Sequence, residues 1–268
     1  MGTQGSAWAT CLARVYMAAF LFAAIAFEHR RRGETHPQVP FRIEAARMRR
    51  LIALGLPAAS QITLEVGVFA AATALAGTLD PISLASHQIA LNIVALTFMV
   101  PLGLSSAAAV RVGHAVGAGD FRGAVRAGWT ALAIAAVFTS AVAVLLFAVP
   151  RPMLLVFTVD PQVLRTGAAL LAIAAAFQLF DGTQAVATGV LRGVGDTRTP
   201  MTMNVIGHWV LGLPAGYVLC FWMGWGVSGL WIGLSIGLIF VALALTLVWA
   251  HRTRAPRDMH APGLPDLV

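Results

Sequence analysis

The sequence has no lysine, two cysteines and little charge of either sign. Charged residues make up 11% of its 268 residues, against about 25% in a soluble domain. So little charge, beside 59% hydrophobic residues, excludes a chain whose whole surface faces water. All 18 basic residues are arginine, and the formal net charge is +7. These arginines lie between apolar runs, so membrane topology accounts for them and nucleic-acid binding does not. Cys11 and Cys220 sit in apolar stretches, form no metal motif and read as small apolar packing residues. There is no Ser-His-Asp set, zinc spacing or Cys-His pair, so enzyme chemistry has no support and no cofactor is expected. The glycine-rich turns at 111–120 and 191–196 follow no strand, which removes a phosphate-cradling role.

What the sequence does have is long apolar runs. A helix crosses a bilayer in about 20 apolar residues. Seven such runs occur, at 6–27, 51–76, 84–107, 124–149, 161–191, 200–222 and 226–250. The expected fold is an all-α integral membrane protein of about seven transmembrane helices. Residues 28–50 form an arginine-rich linker in which Pro37 and Pro40 break any helix, and the tail from 251 to 268 is expected to be disordered. Fifteen of the arginines fall on one side: those of 28–50, Arg111, Arg122, Arg126, Arg192, Arg198, Arg252, Arg254 and Arg257. The opposite loops hold only Arg151 and Arg165. Cytoplasmic loops are rich in arginine, which predicts a cytoplasmic C-terminus and an outside N-terminus. A chain that starts outside with a helix is expected to lack upstream helices.

Nine of the eleven acidic residues lie in loops, at span ends or in the tail; Glu65 and Asp181 do not. Glu65 lies roughly 20 Å along its helix from Arg50, and Asp181 roughly 17 Å from Arg192. In a hydrocarbon core about 30 Å thick, both are deep. A carboxylate there costs at least about 2.5–3.5 kcal/mol, which points to a proton or ion site facing the bundle interior. Residues three, four and seven apart share a helix face. Gln61 shares the face of Glu65, and Phe177, Gln178, Gln184 and Thr188 that of Asp181. The third span adds Gln88 and Asn92, and the sixth adds Asn204 and His208. These polar faces are expected to converge on a cavity, with Phe69, Phe98 and Phe177 as candidate apolar lining. His87 reads as a hydrogen-bonded packing residue. Pro57 and Pro101 fall inside spans, as static kinks or as hinges. Gly113 and Gly117 have helix-packing spacing, and the two glycine-rich turns look like helix ends with an Arg–Asp pair at the interface. Buried carboxylates suit proton transfer, and with neighbouring oxygens they suit sodium, a hard cation that prefers oxygen.

Six stretches of the chain resemble multidrug-and-toxin-extrusion (MATE) cation antiporters. Gly55-Leu56-Pro57, Gln61, Glu65 and Phe69 resemble the family's seventh helix. His87-Gln88-Ile89, Asn92, Pro101, Arg111-Val112-Gly113 and Gly117-Ala118-Gly119-Asp120 resemble the eighth helix and its loop. Gln178, Asp181-Gly182, Gly189 and Leu191-Arg192-Gly193-Val194-Gly195-Asp196-Thr197 resemble the tenth. Gly212-Leu213-Pro214 and Trp225-Gly226 with Gly229-Leu230-Trp231 resemble the last two, and Gly5-Ser6-Ala7-Trp8 the start of the sixth. The resemblance implies that residues 1–28 are the last helix of an N-terminal lobe absent from this chain, and that 51–250 are the six-helix C-terminal lobe. It further implies export of small organic, often cationic, compounds across the bilayer of a bacterial cytoplasmic membrane, in exchange for protons or sodium. Glu65 and Asp181 match the coupling carboxylates of sodium-linked members, so they are metal ligands only if sodium is the ion. Phe177 stands where some of those members carry a tyrosine, removing one oxygen ligand. The alternatives are a lipid-linked-oligosaccharide flippase of the same superfamily, which requires a basic interior, and a non-transporting truncated fragment.

Overall fold

The computed structural model describes residues 2–32 and 44–254. The chain divides into two units, Met1–Met48 and Arg49–Val268. The first contains α1 (Gly2–Arg32), whose Ala7–Glu28 stretch is apolar enough to cross a bilayer. The second contains α2 (Ala45–Gly77, most of its length), α3 (Pro81–Gly117), α4 (Phe121–Ala148), the short α5 (Pro150–Leu155), α6 (Pro161–Gly193) and α9 (Gly226–Arg254). Before α9, the sixth apolar run, Arg198–Trp222, is built in four pieces. These are α7 (Arg198–Asn204), a π-helical stretch Val205–Gly212, α8 (Leu213–Tyr217) and a second π-helical stretch Val218–Trp222. All elements among the described residues are helical, and seven helices are long and apolar enough to span a membrane.

Helix boundaries depart from the sequence expectation where polarity alone was used to place them. The linker expected at 28–50 is helical at both ends, since α1 runs through Arg32 and α2 starts at Ala45. Its prolines, Pro37 and Pro40, lie outside the described residues. The tail is helical as far as Arg254, correcting a disordered start at 251, and the rest of it is outside the described residues. Pro150-Arg151-Pro152 does not merely end α4 but opens α5, because proline at the first helical positions has no amide to leave unbonded.

Three loop carboxylates are helix N-caps. Asp80 Oδ1 accepts from the Ser83 amide at 2.8 Å, Asp120 Oδ1 from the Gly123 amide at 2.8 Å, and Asp160 Oδ1 from the Gln162 amide at 2.8 Å. Each satisfies an otherwise unbonded amide of a first turn. The Ser83 hydroxyl also donates to Asp80, and it and the Ser83 amide hold this exposed carboxyl below its ordinary value of 3.8. A lowered folded value means that the cap stabilises α3 above the ordinary value and fails as pH falls through the lowered one. Exchange of the Ser83 amide, corrected for its intrinsic rate, should accelerate only below pH 3.8, and should be fast at every pH in Asp80→Ala. Acceleration starting near neutral pH would contradict this.

The second unit is organised around α6, which packs on α3, α4 and α9. Two apolar clusters lie at opposite ends of these helices. One holds Leu170, Leu171 and Phe177 of α6, Ile93 and Val94 of α3, and Leu230, Trp231 and Leu238 of α9. The other holds Val186, Val190 and Leu191 of α6, Ala108 and Val112 of α3, and Leu245 and Trp249 of α9. Between them α6 buries Gln178, Asp181, Gly182 and Gln184, so a polar layer separates two apolar cores. The α3–α6 seam is close because Gly189 leaves room for Ser105, whose hydroxyl donates to Ala185 O at 2.7 Å. Gly113 also meets this seam, facing Gly193 O, whereas Gly117 meets nothing within 4 Å. Helix α2 is joined to the rest largely by side chains: Trp209 Nε1 donates to Leu64 O at 3.1 Å, and Val68 and Ala72 pack on Leu234.

Candidate functional site

The polar layer opens on a cavity of about 470 Å³ between α2, α3, α6 and α9, within the range of small-molecule sites. Four helix faces build it. Helix α2 contributes Gln61, Glu65 and Phe69, spaced by one turn. Helix α6 contributes Phe177, Asp181, Gln184, Thr188 and Arg192, again at spacings of three and four. Helix α3 contributes His87, Leu91, Val94, Phe98, Leu102 and Ser105, and α9 contributes Trp231, Leu234 and Leu238. The lining is therefore mostly apolar and aromatic, with two carboxylates and one guanidinium.

Glu65 and Asp181 share this cavity although 116 positions of sequence separate them. Glu65 Oε1 accepts from Gln184 Nε2 at 3.4 Å, and Oε2 accepts from Asn204 Nδ2 at 3.3 Å. These are long contacts from neutral amides. Asp181 is 6% exposed and accepts no hydrogen bond among the described residues. Gln184 Oε1, Thr188 Oγ1 and Asn204 Oδ1 are buried without a donor. Together with the carboxylates they form an oxygen-rich set of the kind that holds hard cations. Among the described residues no three His, Cys, Asp or Glu side chains cluster as a transition-metal site.

The remaining candidates divide. Phe69, Phe98 and Phe177 line the cavity, Phe177 lying tilted against Trp231 with centroids 6.0 Å apart. Gln178 is buried just behind, where its Nε2 donates to Thr97 Oγ1 at 3.2 Å. His208, in the first π-helical stretch, is buried against Phe69 with centroids 6.5 Å apart. Gln88 and Asn92 do not join the site: both are exposed, and Asn92 Nδ2 donates to Gln88 O at 2.9 Å. They stand one residue round from the cavity face that carries His87 and Leu91, about 100° on a helix. Pro57 and Pro101 lie within unbroken α2 and α3. Pro101 is buried where α3 crosses α6, facing Gly182, the neighbour of Asp181. Having no amide, it leaves Thr97 O without its helical partner.

Two features were not anticipated, and a third extends an expectation. Arg192, counted with the loop arginines, instead lines the cavity and donates to Gln61 Oε1 at 3.0 Å; its four-residue step from Thr188 was the available signal. Asp196 does not pair with Arg192. It pairs with Arg252 at the end of α9 and accepts from the Thr199 amide at 3.0 Å, which corrects the Arg–Asp pairing expected within the turn. His87 links three helices: Trp231 Nε1 donates to its Nδ1 at 3.0 Å, and its Nε2 meets Thr73 Oγ1 at 2.9 Å. Thr73 in turn donates to Phe69 O at 2.9 Å. With Nδ1 accepting from the indole, the ring proton belongs on Nε2, so the chain of donors is complete with a neutral ring.

Known proteins share this arrangement of helices. A "Probable multidrug resistance protein NorM" from Mesorhizobium japonicum is 41% identical over 259 residues, covering 95% of this chain and 56% of the relative. A protein of the same name from Rhodopseudomonas palustris is 44% identical over 229 residues, covering 84% of this chain and 48% of that one. The chain thus spans about half the length of the curated relatives it matches. Among solved structures, the eukaryotic MATE transporter AtDTX14 superposes with a TM-score of 0.72 at 26% identity, covering 79% of this chain and 49% of that chain. The Vibrio cholerae MATE transporter VcmN in its bent form shows the same fold, with a TM-score of 0.77 at 18% identity, covering 89% of this chain and 53% of that one. The MatE family model matches residues 57–218, the stretch that holds every polar residue of the cavity, and the chain is a member of the MatE family.

Proposed function

We propose that this chain supplies one lobe of a secondary antiporter that exports small organic, often cationic, compounds in exchange for protons or sodium. The observation that carries this reading is the meeting of Glu65 and Asp181 in one largely apolar cavity, walled in part by Phe69, Phe98, Phe177 and Trp231, beside buried oxygens that have no donor. Carboxylates in a low-dielectric site attract a compensating cation strongly. An inorganic cation and an organic one compete for the same negative charge, so binding one releases the other. Aromatic walls suit flat organic cations, both by apolar area and by attraction to ring faces. Two carboxylates against one arginine favour cations over the phosphate cargo of a flippase. Residues 1–28 serve as the last helix of a preceding lobe, 29–50 as a cytoplasmic linker and 51–250 as the six-helix lobe, with the arginine-rich side and the C-terminus in the cytoplasm. Pro57 and Pro101 act as hinges as the lobes rock about the central site.

The test uses the full-length protein in inverted membrane vesicles with ethidium as a fluorescent organic cation. Uptake should follow an imposed proton or sodium gradient and collapse when a matching ionophore dissipates it. Uptake that survives collapse of both gradients, or no uptake under either, would overturn the antiport reading.

A further inference from the structure

The cavity is lined by two acidic groups and one basic one: Glu65 on α2, and Asp181 and Arg192 on α6. His87 on α3 adds no charge, because its hydrogen bonds to Trp231 and Thr73 are satisfied by the neutral ring. Arg192 is held at the cavity edge by its backbone. A Cβ on the next residue, Gly193, would lie 2.8 Å from Ala109 O and 2.9 Å from Val112 Cβ, so the end of α6 is seated directly on α3. The carboxylate nearest in sequence is already engaged, since Asp196 pairs with Arg252 and caps Thr199. Among the described residues Arg192 therefore makes no ion pair outside the cavity. Its terminal nitrogen is tethered to the neutral Gln61, while its buried Nε makes no hydrogen bond. Gln61 is one turn, about 6 Å along α2, from Glu65, so the tether brings Arg192 to the same face of the cavity as Glu65.

We propose that Arg192 is a resident counter-cation of the ion site, so that a single monovalent cation completes the charge balance of the cavity. Resting on the antiport reading above, this deepens it from the identity of the carboxylates to the number of ions they hold. A guanidinium keeps its charge at physiological pH. Two carboxylates and one guanidinium leave one uncompensated negative charge, which one proton, one sodium ion or one organic monocation neutralises. When the site empties, Arg192 can pass from Gln61 to Glu65, which limits the penalty of an unpaired buried carboxylate and eases ion release.

The test compares full-length wild type, Arg192→Gln, Arg192→Lys, Glu65→Gln and the double variant Glu65→Gln/Arg192→Gln. The readouts are cations bound per protein, as radioactive sodium retained or protons released, and the cation concentration at half-saturation. Wild type should bind one cation, and Arg192→Lys should match it. Arg192→Gln should bind two, with half-saturation at a concentration roughly a hundredfold lower, the size expected for removing a unit charge about 6 Å away at an effective dielectric of 20. Glu65→Gln should bind none, since Asp181 and Arg192 then balance. The double variant should regain one, which keeps the test open if Arg192→Gln alone folds poorly. Unchanged binding number and half-saturation in Arg192→Gln, or a double variant as inert as Glu65→Gln, overturns the counter-cation. Full gradient-driven ethidium transport by Glu65→Gln sinks instead the antiport reading beneath it.

Discussion

Glu65→Gln and Asp181→Asn should each abolish gradient-driven export while leaving a folded protein. A cation about 4 Å from a carboxylate is attracted by about 4 kcal/mol at an effective dielectric of 20. Removing either charge should therefore weaken cation affinity by roughly 10²–10³-fold, enough to uncouple transport at ordinary ion concentrations. Folding survives for a local reason. Glu65 accepts from the amides of Gln184 and Asn204, at 3.4 and 3.3 Å, and each of those amides carries an oxygen without a donor. A glutamine at 65 presents one oxygen and one NH2, and either amide can turn to offer its oxygen to the new donor. Asp181 loses no hydrogen bond, having none among the described residues. The size-exclusion profile and thermal midpoint in detergent should match wild type, while gradient-driven ethidium uptake falls to background. If both variants keep wild-type coupling, the two carboxylates are not the ion site.

The largest effect on stability should come from a single methyl group far from the chemistry. A Cβ on Gly233 of α9 would fall on the backbone N and Cα of Gly216 and 2.7 Å from Gly212 O. All three partner atoms belong to backbone, so no side chain can rotate away. Overpacking of this kind costs about 3 kcal/mol, and the seam it breaks is the one that seats the Arg198–Trp222 span on α9. Gly233→Ala should lower the thermal midpoint sharply and reduce the yield of folded protein. Gly103→Ala is the matched control, since its Cβ meets nothing within 4 Å and alanine favours a helix by about 1 kcal/mol over glycine. Equal behaviour of the two variants would show that backbone contact at Gly233 is not required.

The sixth span shows why some of the fold was legible in the sequence and some was not. Its length and hydropathy place one span at 200–222, and one continuous helical run long and apolar enough to cross, Arg198–Trp222, is what forms. Nothing in hydropathy distinguishes α from π geometry. There, Leu213 N–H bonds to His208 O and Met223 N–H to Val218 O, each five residues back. The site was legible where helical spacing continued: 61, 65 and 69 on α2, and 177, 181, 184 and 188 on α6. It failed at Gln88 and Asn92, because polarity shows that a face exists but not which way the helix turns it. His87 beside them is the hydrogen-bonded packing residue the sequence suggests, buried and bonded to Trp231 and Thr73, and it lines the cavity as well. Arg192 was missed because a cation at a span end fits a loop count equally well. Only the position of Gln61 on another helix reveals that its side chain points inward.

The most direct measurement is ethidium release from proteoliposomes of the full-length protein at zero membrane voltage, started by an inward proton or sodium gradient. Wild type and the double variant Glu65→Gln/Asp181→Asn would be compared at equal protein incorporation. The account predicts gradient-dependent release by wild type and only leak from the double variant. Equal gradient-dependent release from both would contradict it.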